Sequence, residues 1–260
     1  MPELPEVETA RALIEATALG RRIAAVDDSD SWVCRPHAPG EIAEAVVGRE
    51  IVAAHRQGKS MWLDLSDEGP ELGVHLGMAG KVVVDDAEAG DPNDDPRGVQ
   101  AVWDRFVLEF EDGGRLALRD KRRLGRVRLE PDRSHLGPDA ATVSRDAFRA
   151  RVGRGEAPLK ARIMDHSVIA GVGNLLADEA LWRARMSPLR PAGELGPEEL
   201  DALRRHIRAT TRDAIRLGGV HTGRLIPHRA RGGSCPRCGA ALERATVGGR
   251  TTWWCPAEQH

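Results

Sequence analysis

Three cysteines near the end of the chain have the spacing that says most about chemistry. Cys235-Pro-Arg-Cys238 is followed, after sixteen residues, by Cys255, and Gly248-Gly249 between them suit the tip of a hairpin. A C-x2-C pair joined by a third cysteine on a returning strand supplies three corners of a tetrahedral zinc site. A second C-x2-C would end at position 258, where Glu258 stands, and carboxylates are uncommon in closed structural sites. His260 offers a nitrogen and is the preferred fourth ligand, with His228 or a carboxylate as alternatives. Zinc held this way stabilises a fold rather than activating water, because no open coordination position is implied.

Two further groups could do chemistry. Gly171-Val172-Gly173-Asn174 lies between two helical patterns, and Asn174 is placed to cap a helix beginning at Leu175. A glycine turn feeding a helix N-terminus aims backbone N–H groups and a partial positive charge at a nearby anion, such as a phosphate. A plain pair of helices joined by a turn would look the same. At the other end stands Pro2, which becomes terminal if the initiator Met is removed. An α-amino group titrates near ~8 and a lysine near ~10.4, so more of the former is free base at neutral pH. Its attack on a sugar C1′ would give a cationic iminium directly, with Glu3 beside it as general acid.

These residues must be positioned by the elements between them. Leu4, Val7, Ala10, Leu13 and Ile14 have near-helical spacing, which predicts a helix over 3–19 stopped by Gly20. From Arg21 to Glu130 short apolar runs (IAAVD, EIVAAH, SMWLDL, KVVVDD, AVWDRFVLEF, RLALRD, GRVRLE) predict six to eight strands, with Glu111 to Gly114 as a hairpin turn. Strands so short and so regularly spaced argue for a sandwich or barrel. The stretch Asp85 to Gly98 has almost no apolar residue and reads as a mobile loop. After Pro131 four helical patterns follow: SRDAFRARV, LKARIMDHSVI, LLADEALWRARM and GPEELDALRRHIRATTRDAIRL. The tail from His221 is too short and polar to fold without a metal. The expected organisation is α+β: a helix and β-sandwich over 1–130, a helical domain over 131–220 and a zinc finger over 221–260.

Composition bounds the function. Hydrophobic residues make up 41% and charged residues 30% of 260, as in a globular chain. There is no membrane-spanning apolar run, and the start MPELPEVETA is acidic where a signal peptide would be basic, so a cytoplasmic protein is expected. Cys34 stands apart and reads as a small buried residue. The net charge of −2 hides a segregation: residues 1–114 carry 10 Lys/Arg against 24 Asp/Glu, and residues 115–260 carry 28 against 16. A basic half of this kind suits a phosphate-binding surface, although a solvated Arg-rich face would have the same balance.

Taken together, PELPEVET at the start, QGKSMWLDL around Lys59, HLGMAG at His75 to Gly80, DKRRLG at Asp120 to Gly125, DHSVIAGVGNLLADEALWRA and the terminal cysteines resemble the formamidopyrimidine-DNA glycosylase and endonuclease VIII family. The motifs span the chain. The resemblance implies a helix-two-turn-helix form for the helical domain. It also implies an enzyme that excises oxidised bases, of the formamidopyrimidine and 8-oxoguanine type, from damaged double-stranded DNA and then cuts the strand by β,δ-elimination. It implies Pro2 as Schiff-base nucleophile, Glu3 as the acid assisting ring opening, Glu6 in support, and Lys59 on a strand, contacting phosphate and positioning the sugar. His75, Asn174, Arg250 and Arg123 match phosphate contacts, and Met78, Arg122 and Leu124 match the side chains that fill the space left by a flipped base. One structural zinc, no small-molecule cofactor, a monomer and a nucleoid-associated location follow from the same resemblance.

Two features depart from the family pattern. Lys121 replaces a proline and Leu124 an aromatic wedge in DKRRLG, and only fifteen residues join Gly219 to Cys235, where the purine-excising branch commonly carries a long loop over the flipped base. Oxidised pyrimidines as substrates, or damage binding without excision, are the alternatives these departures leave. A zinc-ribbon transcription factor is the remoter reading, and it gives Pro2 no role.

Overall fold

The computed structural model describes residues 2–90 and 101–260. They form two compact units, one of Glu6–Arg133 with Pro2, the other of Ser134–His260 with Glu3–Pro5. In chain order the elements are α1 (Leu4–Thr17), β1 (Ile23–Asp27), α2 (Glu41–Val46), β2 (Ile51–Gln57), β3 (Ser60–Leu65), β4 (Leu72–His75), β5 (Lys81–Val84), β6 (Ala87–Gly90), β7 (Asp104–Phe110), β8 (Arg115–Arg119) and β9 (Arg126–Leu129). The second unit holds α3 (Arg145–Val152), α4 (Leu159–Met164), α5 (Asn174–Ala184), α6 (Pro197–Leu217), β10 (Glu243–Val247) and β11 (Arg250–Trp254). This is the α+β class expected: helix and sandwich, then helices, then a finger hairpin.

In the first unit, Val7, Ala10, Ile14 and Ala18 repeat every three or four residues and are buried, and Gly20 follows with φ +76°. The strands form two antiparallel sheets, ordered β1-β7-β8-β5-β6 and β2-β3-β4-β9. Alternate residues of both, such as Met61, Leu63 and Leu65 on β3 and Phe106, Leu108 and Phe110 on β7, bury into one core. That core also takes Cys34. The turn Glu111 to Gly114 joins β7 to β8 as expected, with the Phe110 N–H donating to Gly114 O at 2.8 Å.

Nine strands are found among the described residues of the first unit, where six to eight were expected. β4 and β6 have four residues each, too short for a clear alternation, and β6 (AEAG) is held by pairing with β5 rather than by an apolar face. The expected loop from Asp85 is therefore a two-residue turn, Asp85-Asp86, followed by a strand, and its residues 91–98 lie outside the described residues. Helix α2 had no periodic signal. Its first turn is capped from a distance, by the buried carboxylate of Asp28, which accepts N–H groups from Gly40, Ile42 and Ala43 at 2.7, 3.0 and 3.2 Å.

In the second unit, α3 is capped by Ser144 Oγ, and α6 by a Pro at its first position and by Glu199, whose carboxylate accepts the Gly196 N–H at 2.9 Å. The pattern LKARIMDHSVI is helical only to Met164. Asp165 stops it: its side chain accepts the N–H and O–H of Ser167, and its carbonyl accepts the N–H groups of Val168 and Ile169. At the finger hairpin, Val247 pairs with Arg250, so Gly248 and Gly249, at φ +55° and +72°, make a two-residue turn of the kind that needs left-handed backbone at both positions. Among the described residues no helix is long and apolar enough to cross a membrane.

Candidate functional site

Glu3 is buried, and its carboxylate takes the place the sequence reserved for an external anion. Oε1 accepts the N–H of Leu175 at 2.9 Å and Oε2 that of Leu176 at 3.0 Å. Helix α5 starts at Asn174, one residue earlier than expected, and Gly173 before it makes no side-chain cap bond, so Glu3 and not Asn174 is the cap. The glycine is needed for space: a Cβ there would lie 2.2 Å from the Glu3 Cδ. The Leu4 N–H donates to Gly171 O at 3.3 Å and the Leu4 side chain is fully buried, which fixes the backbone on the far side of the glutamate. Pro2, the preceding residue, is buried, as is Glu6.

Asn174 turns its Oδ1 inward, to a lysine that sequence reasoning passed over. Lys160 Nζ donates to Asn174 Oδ1 at 2.7 Å and Thr252 Oγ1 at 2.8 Å, and lies 2.7 Å from Asp178 Oδ1. Lys160 and Asp178 have no solvent exposure, and Arg229 Nε donates to the other oxygen of Asp178 at 2.8 Å. Burial pushes the Lys160 ammonium below and the Asp178 carboxyl above their ordinary pKa values, while the charge of each partner opposes the shift. The cluster ties α4, α5 and β11 together directly behind Asn174 and two residues from Arg250, which is exposed at the start of β11. A lysine amid LKARIMDH reads as a solvated charge, and only the adjacent Leu159 and Ile163 at i+3 hinted at a buried face.

In the first unit, Lys59 stands in the tight turn Gly58-Lys59 between β2 and β3 rather than on a strand. It is near enough to act on His75: desolvation, then the charges of Lys59 and Arg128, hold the His75 pKa below the ordinary histidine value, although the residue is exposed. His75 Nδ1 accepts the Gly77 N–H at 3.0 Å, so in the neutral ring Nε2 carries the proton and is a donor.

Two loops meet in this unit. Asp120, fully buried, accepts the N–H groups of Arg122, Leu124 and Gly125 at 2.9, 2.6 and 2.6 Å, which shapes the loop 120–125. Gly77, at φ +62°, lets the second loop approach: a Cβ there would lie 2.4 Å from the Leu124 carbonyl carbon. Met78 and Leu124 are left 42% and 36% exposed, and Arg122 Nη2 lies 4.0 Å from Met78 Sδ, so Met78 and Arg122 meet as a partly apolar tip. Arg123 is engaged within the chain: its guanidinium forks onto Asp30 at 2.7 and 2.9 Å, and that partner raises its pKa.

The three tail thiols lie within 4.8 Å of one another, with Cys238 Sγ 3.5 Å from Cys255 Sγ. Sulfurs at ~2.3 Å from a tetrahedral zinc stand about 3.8 Å apart, so three corners of such a site fit. Buried Trp182 donates its indole N–H to Cys235 Sγ at 3.3 Å. Burial would raise the Cys235 pKa, but this bond and the N–H groups of Arg237 and Cys238 lower it to about 7. His260 is not brought to the thiols: among the described residues, no imidazole or carboxylate lies within 4.8 Å of all three. The tail is pinned elsewhere, with the His260 N–H donating to Arg185 O, its carbonyl accepting from Ser187, and buried Gln259 Nε2 donating to Met186 O.

A sandwich with an N-terminal helix, a helix-two-turn-helix region and a three-thiol finger define a class of nucleic-acid-processing folds. Family models place the chain within it: the formamidopyrimidine-DNA glycosylase N-terminal domain matches residues 1–127, the H2TH domain of the same glycosylase residues 136–224, and the zinc finger found in FPG and IleRS residues 232–257. The formamidopyrimidine-DNA glycosylase of Chloroflexus aurantiacus is 36% identical over all of this chain and 98% of its own length, and that of Nocardioides is 35% identical over 100% and 94%. Among solved structures, Lactococcus lactis Fpg in complex with abasic-site DNA aligns with a TM-score of 0.83 at 25% identity, covering 99% of both chains. The Thermus thermophilus MutM (FPG) protein aligns at 0.78 and 33% identity, covering 99% of this chain and 98% of its own. The chain belongs to the formamidopyrimidine-DNA glycosylase family, and its finger is the site of a single structural zinc.

Two measurements probe this arrangement. Asp178→Ala leaves Lys160 and Arg229 without their buried counter-charge and should cost about 3–5 kcal/mol in urea unfolding at fixed zinc, whereas a loss below 1 would show the pair to be dispensable. Below the ordinary histidine pKa of about 6.5 the unfolded chain takes up a proton that folded His75 resists. Stability should therefore fall as the pH drops from 7.5 through that value towards the lower folded one. His206, lowered by burial and by Arg205, adds to the same slope, so His75→Gln should remove part of it.

Proposed function

We propose that this chain is a base-excision DNA glycosylase with abasic-site lyase activity, acting on oxidised bases of the formamidopyrimidine and 8-oxoguanine type in duplex DNA. The observation that carries the reading is the buried Glu3 carboxylate, held by two backbone N–H groups immediately after Pro2, in a chain of this family. Removal of Met1 frees the Pro2 nitrogen. Its lone pair attacks C1′, the glycosidic bond breaks and the base leaves with a proton. Glu3 takes the proton that the Pro2 nitrogen sheds after attack and passes it to the ring oxygen as the C1′–O4′ bond opens, which leaves an iminium between Pro2 and the sugar. Loss of a C2′ proton expels the 3′ phosphate, and a second elimination expels the 5′ phosphate.

Lys59 and the Nε2–H of His75 contact phosphate from the first unit, and Asn174 and Arg250 from the second. Met78, Arg122 and Leu124 fill the stack vacated by the flipped base. Arg123, forked on Asp30, has the job of holding the wedge loop. In this reading residues 1–130 carry the chemistry, 131–220 the helix-two-turn-helix and 221–260 the finger, and the protein works as a monomer on the chromosome in a bacterial cytoplasm, as the bacterial relatives suggest.

Borohydride should trap the protein on duplex DNA carrying 8-oxoguanine or an abasic site. A chain shown by mass spectrometry to begin at Pro2 that never traps would overturn the reading. Glu3→Gln should lower base release by roughly 10²–10⁴-fold with duplex binding retained, and an unchanged rate would leave a binding protein only. Asn174→Ala and Arg250→Ala should each weaken binding to damaged and undamaged duplex alike and reduce the salt slope by about 1.

A further inference from the structure

The tail supplies three thiols where a closed structural zinc site uses four donors. Counting on from Cys255 at the spacing of the first pair reaches Glu258, and its carboxylate is engaged elsewhere. Oε2 accepts from Arg237 Nη1 at 2.9 Å and lies 3.0 Å from Arg185 Nη1. Arg237 is itself fixed, with Nη2 donating to Trp182 O at 3.1 Å and its guanidinium 4.2 Å from the centre of the Trp182 ring. Because Arg237 sits between Cys235 and Cys238, the clamp on Glu258 is part of the metal loop.

Charge points the same way. Zinc with three thiolates already carries a net −1. A carboxylate that joined it would raise this to −2, and because Glu258 lies outside the thiol group it would have to swing away from two guanidinium groups that share its Oε2, one of them held rigidly against an aromatic ring. His260 is tied by both backbone groups to Arg185 and Ser187, and His228 is likewise outside the thiol group. Cys238 is the exposed member of the three, so solvent reaches the cluster on that side.

We propose that the metal of this chain is held by Cys235, Cys238 and Cys255 alone, that the two-arginine clamp keeps Glu258 out of coordination, and that the fourth position takes an exchangeable external donor, water or a small thiol. The inference concerns the finger and stands whether or not the chain excises bases.

The test uses the full chain loaded with cobalt in place of zinc and titrated with 2-mercaptoethanol. The sulfur-to-cobalt charge-transfer band should grow by about a third as three sulfur ligands become four, equally in the wild type, Glu258→Gln and His260→Ala. Glu258→Cys should start with the stronger band and not respond. X-ray absorption of the zinc form without added thiol should show three sulfurs and one lighter atom. A wild-type band indifferent to thiol, a starting spectrum altered by Glu258→Gln or His260→Ala, or a Glu258→Cys band that still grows would each overturn the proposal. The first two variants decide it even if the cysteine variant fails to fold.

Discussion

The bond between the Glu3 carboxylate and the first turn of α5 is the contact on which the rest of the site depends. A helix N-terminus presents N–H groups without partners and a partial positive charge, and a charged acceptor there is roughly twice as strong as a neutral one. In this chain the acceptor comes from 172 residues away in the sequence. Its position is determined from both sides, by the absence of a Cβ at Gly173 and by burial of Leu4 among the helices. A terminal dipeptide would otherwise fray. Here the residue next to Pro2 has no conformational choice left.

The same helix carries two further attachments. Asn174, Asp178 and Trp182 are spaced i, i+4, i+8 and so form one stripe along a rod of about 16 Å. Asn174 and Asp178 meet Lys160, Asp178 also takes Arg229 and the Trp253 N–H, and Trp182 reaches Cys235. Each contact ties α5 to the finger, directly or through Lys160, which reaches Thr252 on β11. Burying Lys160 and Asp178 costs desolvation that their attraction only partly offsets, so the pair does little for net stability. What it contributes is register: Asn174 and the start of β11 cannot slide independently while one ammonium holds both.

The class of fold was legible because its signals are periodic. The buried stripe of α1, the alternation in β3 and β7 and the four helical patterns all survive as elements. The boundaries that moved are those set by a single distant or side-chain interaction. Asp165 ends α4 by bonding to its own backbone, and Asp28 starts α2 from twelve residues away. Within the site, the residue types at Pro2, Glu3 and the cysteines were visible, but partners were not. GVGN marked N–H groups that want an anion, and pattern alone could not say that two of them take a carboxylate already in the chain. Lys160 was invisible because a lysine is almost never fully buried unless paired, and its pair lies eighteen residues on.

The paired loops of the first unit show how such a structure keeps apolar groups in water. Met78 and Leu124 gain nothing from their exposure, and a flexible loop would fold them back against the sandwich. Three N–H bonds to a buried carboxylate at Asp120, the left-handed backbone of Arg123 at φ +54° and its fork to Asp30 remove that freedom. The backbone contact allowed by Gly77 then binds one tip to the other. Entropy that a wedge would lose on entering a stack of bases has thus been lost in folding, which favours insertion. Leu124 presents less flat surface than an aromatic ring would. In the role proposed above for Leu124, the rigidity of its loop therefore matters more, since less of the cost of unstacking would be recovered by contact.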